Sequence, residues 1–301
     1  MDALPTSLTP LEGGYSGETF LATVAGEPVV ARVYAGRSAS RGPLAPEIDA
    51  AVLELVRGLL PVPEVLEVRR GSPDGDLPGL LLTSRLPGER LDLVLPDLDR
   101  ERRERVGHRL GTLLGRLGHM VQPRAGVFVD RTLVAADLPP GGDDLATWVA
   151  DRSGSLLAAG LGAAAVDGLT VLADEAQDLL DLDPRACLVH ADLNPKNLLV
   201  DPDTLEVTAV LDWEFAHAGS PYADLGNLLR LDRDPAYVGA VLAGYRDLMP
   251  AVPPDVLDRA RAADLFALVD LAVRDQPNPV VTAARDLLRA VGQSGDLHAV
   301  G

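Results

Sequence analysis

The sequence predicts an α+β chain in two parts, β-rich up to about residue 86 and mainly helical beyond it. Three observations carry this. Short β-branched and aromatic runs crowd the first part, apolar residues recur at helical spacing through most of the rest, and the breaker Leu86-Pro87-Gly88 separates the two patterns.

In chain order, Thr19 to Val24 and Val29 to Tyr34 are strand-like runs joined by the turn Ala25-Gly26-Glu27-Pro28, a hairpin signal. Pro46 to Leu59 is predicted helical, with Ile48, Val52, Leu55 and Leu59 on one face and Pro46 suited to a first turn. Val62 to Val68 and Leu80 to Thr83 read as two more strands around the turn from Gly71 to Gly79. Leu86-Pro87-Gly88 is the candidate hinge, giving lobes of 1–86 and 87–301. The second lobe opens with a helix from Asp99 to Met120, whose Val106, Leu110, Leu113, Leu114 and Leu117 share a face. Further helices are expected at Leu145 to Ser153, Ala163 to Leu182, Ala223 to Arg230, Pro235 to Tyr245, Pro254 to Val273 and Val280 to Val291, and the tail after Gly292 is expected to fray.

Composition narrows the function classes. The 301 residues are 47% hydrophobic and 24% charged, ordinary for a globular protein with a sizeable core. No apolar run is long enough to span a bilayer. The segment Met1 to Pro10 lacks the basic-then-apolar pattern of a secretory signal, and Cys187 is the sole cysteine; both fit a cytoplasmic location. A formal net charge of −18 argues against a nucleic-acid partner and is compatible with a cationic small molecule. Lys196 is the only lysine among 27 basic residues, the mark of a coding bias toward arginine.

The chemistry gathers in two polar turns. His190-Ala191-Asp192-Leu193-Asn194-Pro195-Lys196-Asn197 precedes the apolar run Leu198 to Val200, and Asp212-Trp213-Glu214 follows the apolar run Val207 to Leu211. The two runs can pair as a hairpin around Asp201-Pro202-Asp203-Thr204, bringing Asp192, Asn197 and Asp212 together. Oxygen donors with room for water and phosphate suit Mg2+, and a carboxylate that is not a metal ligand can orient a hydroxyl for in-line attack on a phosphoryl group.

These residues carry a resemblance. His190-x-Asp192-x4-Asn197 followed by Asp212 resembles the catalytic and metal loops of the protein-kinase-like superfamily. With Asp-Trp in the second motif, the chain is more closely similar to the aminoglycoside phosphotransferase family, including phosphotransferases of capreomycin/viomycin-type peptide antibiotics. The resemblance runs from about Leu8 to about Leu288. It implies a two-lobed protein-kinase-like fold, with Asp192 as the catalytic carboxylate and Asn197 and Asp212 as ligands of Mg2+. It also implies a phosphate-covering loop at Gly13, Gly14, Ser16 and Gly17. Arg32 stands where the family's phosphate-gripping lysine stands, with Glu47 as its acidic partner. Thr83, Ser84 and Leu86 would meet the adenine, Ser84 and Leu86 through their backbone. Asp224 matches an aspartate that braces the catalytic loop, and His190 is read as a structural residue of that loop.

The expected reaction is transfer of phosphate from Mg·ATP, with GTP left open as donor, to a hydroxyl of a small molecule. A cationic antibiotic, either an aminoglycoside or a basic cyclic peptide, is the favoured acceptor, and such a reaction would confer resistance. A hydroxylated metabolite such as an amino alcohol or sugar is the alternative, as is a non-catalytic nucleotide-binding protein on the same fold. The activation-segment motifs of protein kinases are missing.

Overall fold

The computed structural model describes residues 8–11, 19–35, 41–72, 77–138, 141–249, 251–275 and 278–301. They fall into two compact units. The first comprises Met1–Leu98, Val127–Ala136 and Pro195–Ala216, and the second Asp99–Gly126, Asp137–Asn194 and His217–Gly301. The breaker at 86–88 therefore lies inside the first unit.

The first unit is built on an antiparallel sheet in the order β1 (Leu8–Pro10), β2 (Thr19–Val24), β3 (Glu27–Tyr34), β5 (Gly79–Ser84), β4 (Val65–Arg69). The expected hairpin is present, with Phe20 opposite Ala31 and Ala22 opposite Val29. Alternation along β2 and β3 turns Ala22, Val29 and Ala31 to one side, where they pack with Leu82. Helix α1 (Ala45–Val56) crosses from β3 to β4 and ends three residues earlier than the apolar spacing predicts. Its last expected face residues, Leu55 and Leu59, are exposed. A second, three-stranded sheet pairs β6 (Glu89–Arg90), β11 (Leu198–Val200) and β12 (Val207–Val210). Gly88, at φ +126°, packs so close to β12 that an added Cβ would stand 2.3 Å from the Thr208 hydroxyl. The short helix α2 (Leu91–Val94) and the hairpin of β8 (Gly126–Phe128) and β9 (Ala135–Ala136) complete the unit.

In the second unit the helices match the periodicity. Helices α3 (Arg100–Gly118), α4 (Leu145–Ala158), α5 (Ala163–Asp181), α6 (Ala223–Leu228), α7 (Pro235–Leu248), α8 (Val256–Ala272) and α9 (Pro279–Ser294) follow one another. Four of the starts are written in side chains that satisfy the first free N–H groups. Asp99 accepts from Arg102 at 2.8 Å, Asp144 from Thr147 at 2.6 Å, Asp234 from Tyr237 at 2.9 Å and Asn278 from Val281 at 3.0 Å. Pro235 and Pro279 directly follow two of these caps, where a missing N–H costs nothing.

Leu145, Leu156, Leu169, Leu268, Leu288 and Val291 form the common core of α4, α5, α8 and α9. The tail does not fray as expected. Helix α9 runs to Ser294, Gly295 turns it at φ +69°, and Leu297 is buried in the same core. Strands β7 (Val121–Gln122), β10 (Ala186–Val189) and β13 (His217–Gly219) form a small sheet with Cys187 at its centre. Among the described residues no helix is long and apolar enough to cross a membrane.

Candidate active site

Four successive residues of β10 are buried, and the chain leaves the strand into the first polar loop. There His190 is fully buried. The Asp224 carboxylate, itself buried at the start of α6, accepts the backbone N–H of His190 at 2.7 Å and of Ala191 at 2.8 Å. This is the bracing role expected of Asp224. Ala191 sits at φ +65°, in the left-handed region that glycine occupies more readily. The Asp192 N–H donates to His190 Nδ1 at 3.2 Å, which gives His190 a place in shaping the loop. The Asn194 amide donates to Asp192 Oδ1 at 2.9 Å and holds that oxygen in a defined direction. The boundary between the units falls between Asn194 and Pro195, so Asp192 belongs to the second unit. Asn197 and Asp212 belong to the first.

Those two are brought together by the hairpin of β11 and β12. Leu198 stands opposite Val210 and Leu199 opposite Ala209, while the Asp201 carboxylate closes the turn by accepting the N–H groups of Asp203 and Thr204. At the open end the Leu211 N–H donates to the Asn197 carbonyl at 2.8 Å. Asp212 follows at once, at φ +63°. Trp213 explains how the chain holds that conformation: its ring is buried and its indole N–H donates to the Val210 carbonyl at 3.1 Å. An amide oxygen and a carboxylate at one hairpin end are an oxygen-donor set suited to a hard divalent cation. Lys196 lies half-buried in the turn Pro195–Asn197 just before Asn197.

Arg32, on the middle strand β3, projects to the same place. Its Nη1 donates to Asp212 Oδ1 at 2.6 Å and its Nη2 to Glu214 Oε2. Burial opposes the charge of Arg32, but the Asp212 and Glu214 carboxylates outweigh it and hold the pKa above the ordinary arginine value. Burial pushes the Glu214 carboxyl up, while Arg32 pulls it back.

The expected partnership of Arg32 with Glu47 is not the one formed. Glu47 pairs with Arg70 at 2.8 Å, because 47, 51, 54 and 55 lie along the outer face of α1, away from the sheet. The inward acid of the helix is Asp49, which shares its face with Ala45, Val52, Leu53 and Val56. Asp49 accepts from the Tyr34 hydroxyl at 2.6 Å and from Arg41 at 2.6 and 2.9 Å. Burial and then the Asp49 carboxylate push the Tyr34 hydroxyl well above its ordinary pKa, which keeps it a donor.

Sequence reasoning assigned no role to Glu214, Asp49, Tyr34 or Arg41. The signal for Asp49 was present, an acid at i and i+3/i+4 spacing from buried apolar residues. For Glu214 it was the spacing of two acids around one tryptophan.

Of the remaining expected nucleotide contacts, Gly13, Gly14, Ser16 and Gly17 lie outside the described residues. Thr83 is buried in β5. The Ser84 N–H donates to the Glu64 carbonyl at 2.9 Å and its hydroxyl accepts the Glu64 N–H at 2.9 Å, so both link β5 to the segment before β4. Leu86 is half-buried.

Comparison with known proteins agrees with the fold. The model of the phosphotransferase enzyme family matches residues 7–265. Acyl-CoA dehydrogenase family member 10 of Mus musculus is 28% identical over 253 residues, which is 81% of this chain and 22% of that protein. Acyl-CoA dehydrogenase family member 11 of Rattus norvegicus is 42% identical over 52 residues, or 17% of this chain and 7% of that protein. The chain thus spans less than a quarter of the length of these relatives. Among solved structures, the GDP and kanamycin complex of APH(2")-IIia has the same fold, with a TM-score of 0.71 at 17% identity, covering 98% of this chain and 95% of that one.

Proposed function

We propose that this chain, which belongs to the phosphotransferase enzyme family, transfers phosphate to a hydroxyl group with the following division of labour among its residues. Asp192 orients the acceptor hydroxyl and takes its proton as the oxygen attacks. Asn197 and Asp212 would hold Mg2+, which would supply charge neutralisation to the phosphate oxygens. Arg32 grips the inner phosphates with the part of its guanidinium turned from the carboxylates. Gly13, Gly14, Ser16 and Gly17 cover the outer phosphates, and Thr83, Ser84 and Leu86 line the base pocket. The nucleotide-binding lobe is 1–86 and the catalytic and substrate-binding lobe 87–301. Glu47 has no part in this scheme, since Arg70 holds it. Positioning and charge neutralisation then supply most of the rate enhancement.

The observation that carries the reading is the hairpin end where the Asn197 carbonyl accepts the Leu211 N–H, one residue before Asp212, and Arg32 bonds Asp212. Asp192→Ala should lower phosphate transfer by about 10²–10⁴-fold, the usual worth of a general base, and leave nucleotide binding near the wild-type level. Unchanged turnover would remove Asp192 from its role.

The acceptor is a cationic antibiotic, an aminoglycoside or a basic cyclic peptide, and the reaction confers resistance to it in the cytoplasm, without a nucleic-acid or membrane partner. Two observations support this: the net charge of −18, which attracts cations over distance, and the kanamycin bound by the structural relative. ATP or GTP serves as donor. Release of nucleoside diphosphate across a panel of aminoglycosides, viomycin-type peptides, amino alcohols and sugars tests the class. Turnover with the last two groups alone would move the acceptor to a hydroxylated metabolite. No turnover with any of them would favour a binding protein.

A further inference from the structure

Arg32 is held by two carboxylates, and only one of them, Asp212, belongs to the proposed metal set. Its side chain is 13% exposed, as is that of Glu214, and both belong to the same unit as Asp212. Nη1 is committed to Asp212 and Nη2 to Glu214, while the buried Nε finds no partner among the described residues. No acid of α1 is bonded to it: Glu47 is bound by Arg70, and Asp49 by Tyr34 and Arg41. The acidic partner of this strand residue therefore lies on the metal loop itself, two residues past Asp212.

We propose that Glu214 is the positioning residue for Arg32, and that it keeps the guanidinium from claiming Asp212 when the metal binds. This rests on the reading of Asp212 as a metal ligand. With both carboxylates present, a single guanidinium is shared between two anions, and Asp212 keeps negative charge to offer a divalent cation. As Asp212 turns to the cation, Arg32 stays anchored through Nη2 on Glu214. Without Glu214, the guanidinium and Asp212 form a neutral one-to-one pair in a half-buried setting, where such pairs are strong. The cation must then displace arginine to bind. The planar fork of arginine suits this double engagement, whereas a lysine ammonium could bond both carboxylates only by bending its single charge between them.

The test is the Mg2+ concentration needed for half-maximal tightening of a fluorescent ADP analogue, measured on the whole chain alongside binding in EDTA and thermal unfolding. Asp212→Asn should abolish the tightening by Mg2+. If Mg2+ changes nothing even in the wild type, the reading of Asp212 fails and the inference with it. If wild type responds and Asp212→Asn does not, the metal site stands and Glu214 is tested alone. Glu214→Gln should then raise the Mg2+ requirement about tenfold, the worth of one charge-assisted hydrogen bond. Binding in EDTA, measured for each variant, separates any loosening of Arg32 on the nucleotide itself from the change in Mg2+ requirement. Glu214→Asp should recover part of the difference. A merely structural role would lower the unfolding midpoint and metal-free binding together without moving the Mg2+ requirement, and that result would overturn the proposal. So would an unchanged requirement in Glu214→Gln, or one raised equally in Glu47→Gln.

Discussion

At the scale of single residues, the loop before Asn197 carries a conformational cost that the sequence does not announce. Ala191 occupies the left-handed region while its N–H is tied to Asp224. An L-residue there costs about 1–2 kcal/mol, of which glycine would recover all but its own extra chain freedom of about 0.5–1 kcal/mol. Ala191→Gly should therefore stabilise the protein by about 0.5–1 kcal/mol in urea unfolding. A loss of stability would mean that the methyl group is packed. Asp183 gives a pH-dependent case. Hydrogen bonds from Arg185 at 2.6 and 2.7 Å, offset in part by burial and joined by the Tyr222 hydroxyl at 2.7 Å, lower its pKa to about 2. A depressed carboxylate contributes its full stability above its ordinary pKa and loses it as pH falls through the folded value. The wild type should thus lose an advantage over Asp183→Asn between about pH 4 and about pH 2, measured as unfolding midpoints across that window. The fully buried Cys187, whose thiol donates to the Gly118 carbonyl at 3.2 Å and whose pKa burial raises, should resist alkylation in the native state and react only on unfolding.

At the scale of elements, the sequence was legible wherever period and caps agree. The seven helices of the second unit and the β2–β3 hairpin lie close to their expected spans, and Asp99, Asp144, Asp234 and Asn278 cap the starts of four of the helices. The short strands β6, β7, β8, β9 and β13 were not foreseen, since two or three residues carry no period. Partner choice was also hidden. Arg32 and Glu214 are 182 positions apart, and nothing local tells which of the acids Glu47, Asp49, Asp212 and Glu214 will reach the guanidinium. A different kind of pairing joins α3 to α7. A Cβ on Gly111 would fall 1.9 Å from the Val241 carbonyl oxygen, and one on Gly244 equally close to that of His108. The two backbones touch, so Gly111→Ala must push the helices apart. We expect a loss of about 2–3 kcal/mol in equilibrium unfolding, the usual scale of overpacking.

At the scale of the whole molecule, the charge of −18 acts on the fold as well as on ligands. Self-repulsion of like charges opposes compaction and is screened over about 10 Å at ~0.1 M salt. The unfolding temperature should rise by roughly 2–4 °C for each kcal/mol of repulsion that added sodium chloride removes. A midpoint independent of salt would mean that the ion pairs already balance the surface locally.

The first unit takes Pro195–Ala216 from far along the chain, and with it Asp212 and Glu214. A gene truncated after Leu98 would encode β3 without either of these carboxylates, leaving Arg32 as a buried cation with no counterion and β6 with no β11 to pair with. The first unit of this protein is therefore not a portable cassette. Recombination or fragment expression that treats the first hundred codons as a module should yield insoluble product, whereas supplying the hairpin of β11 and β12 in the same polypeptide through a new linker should restore it.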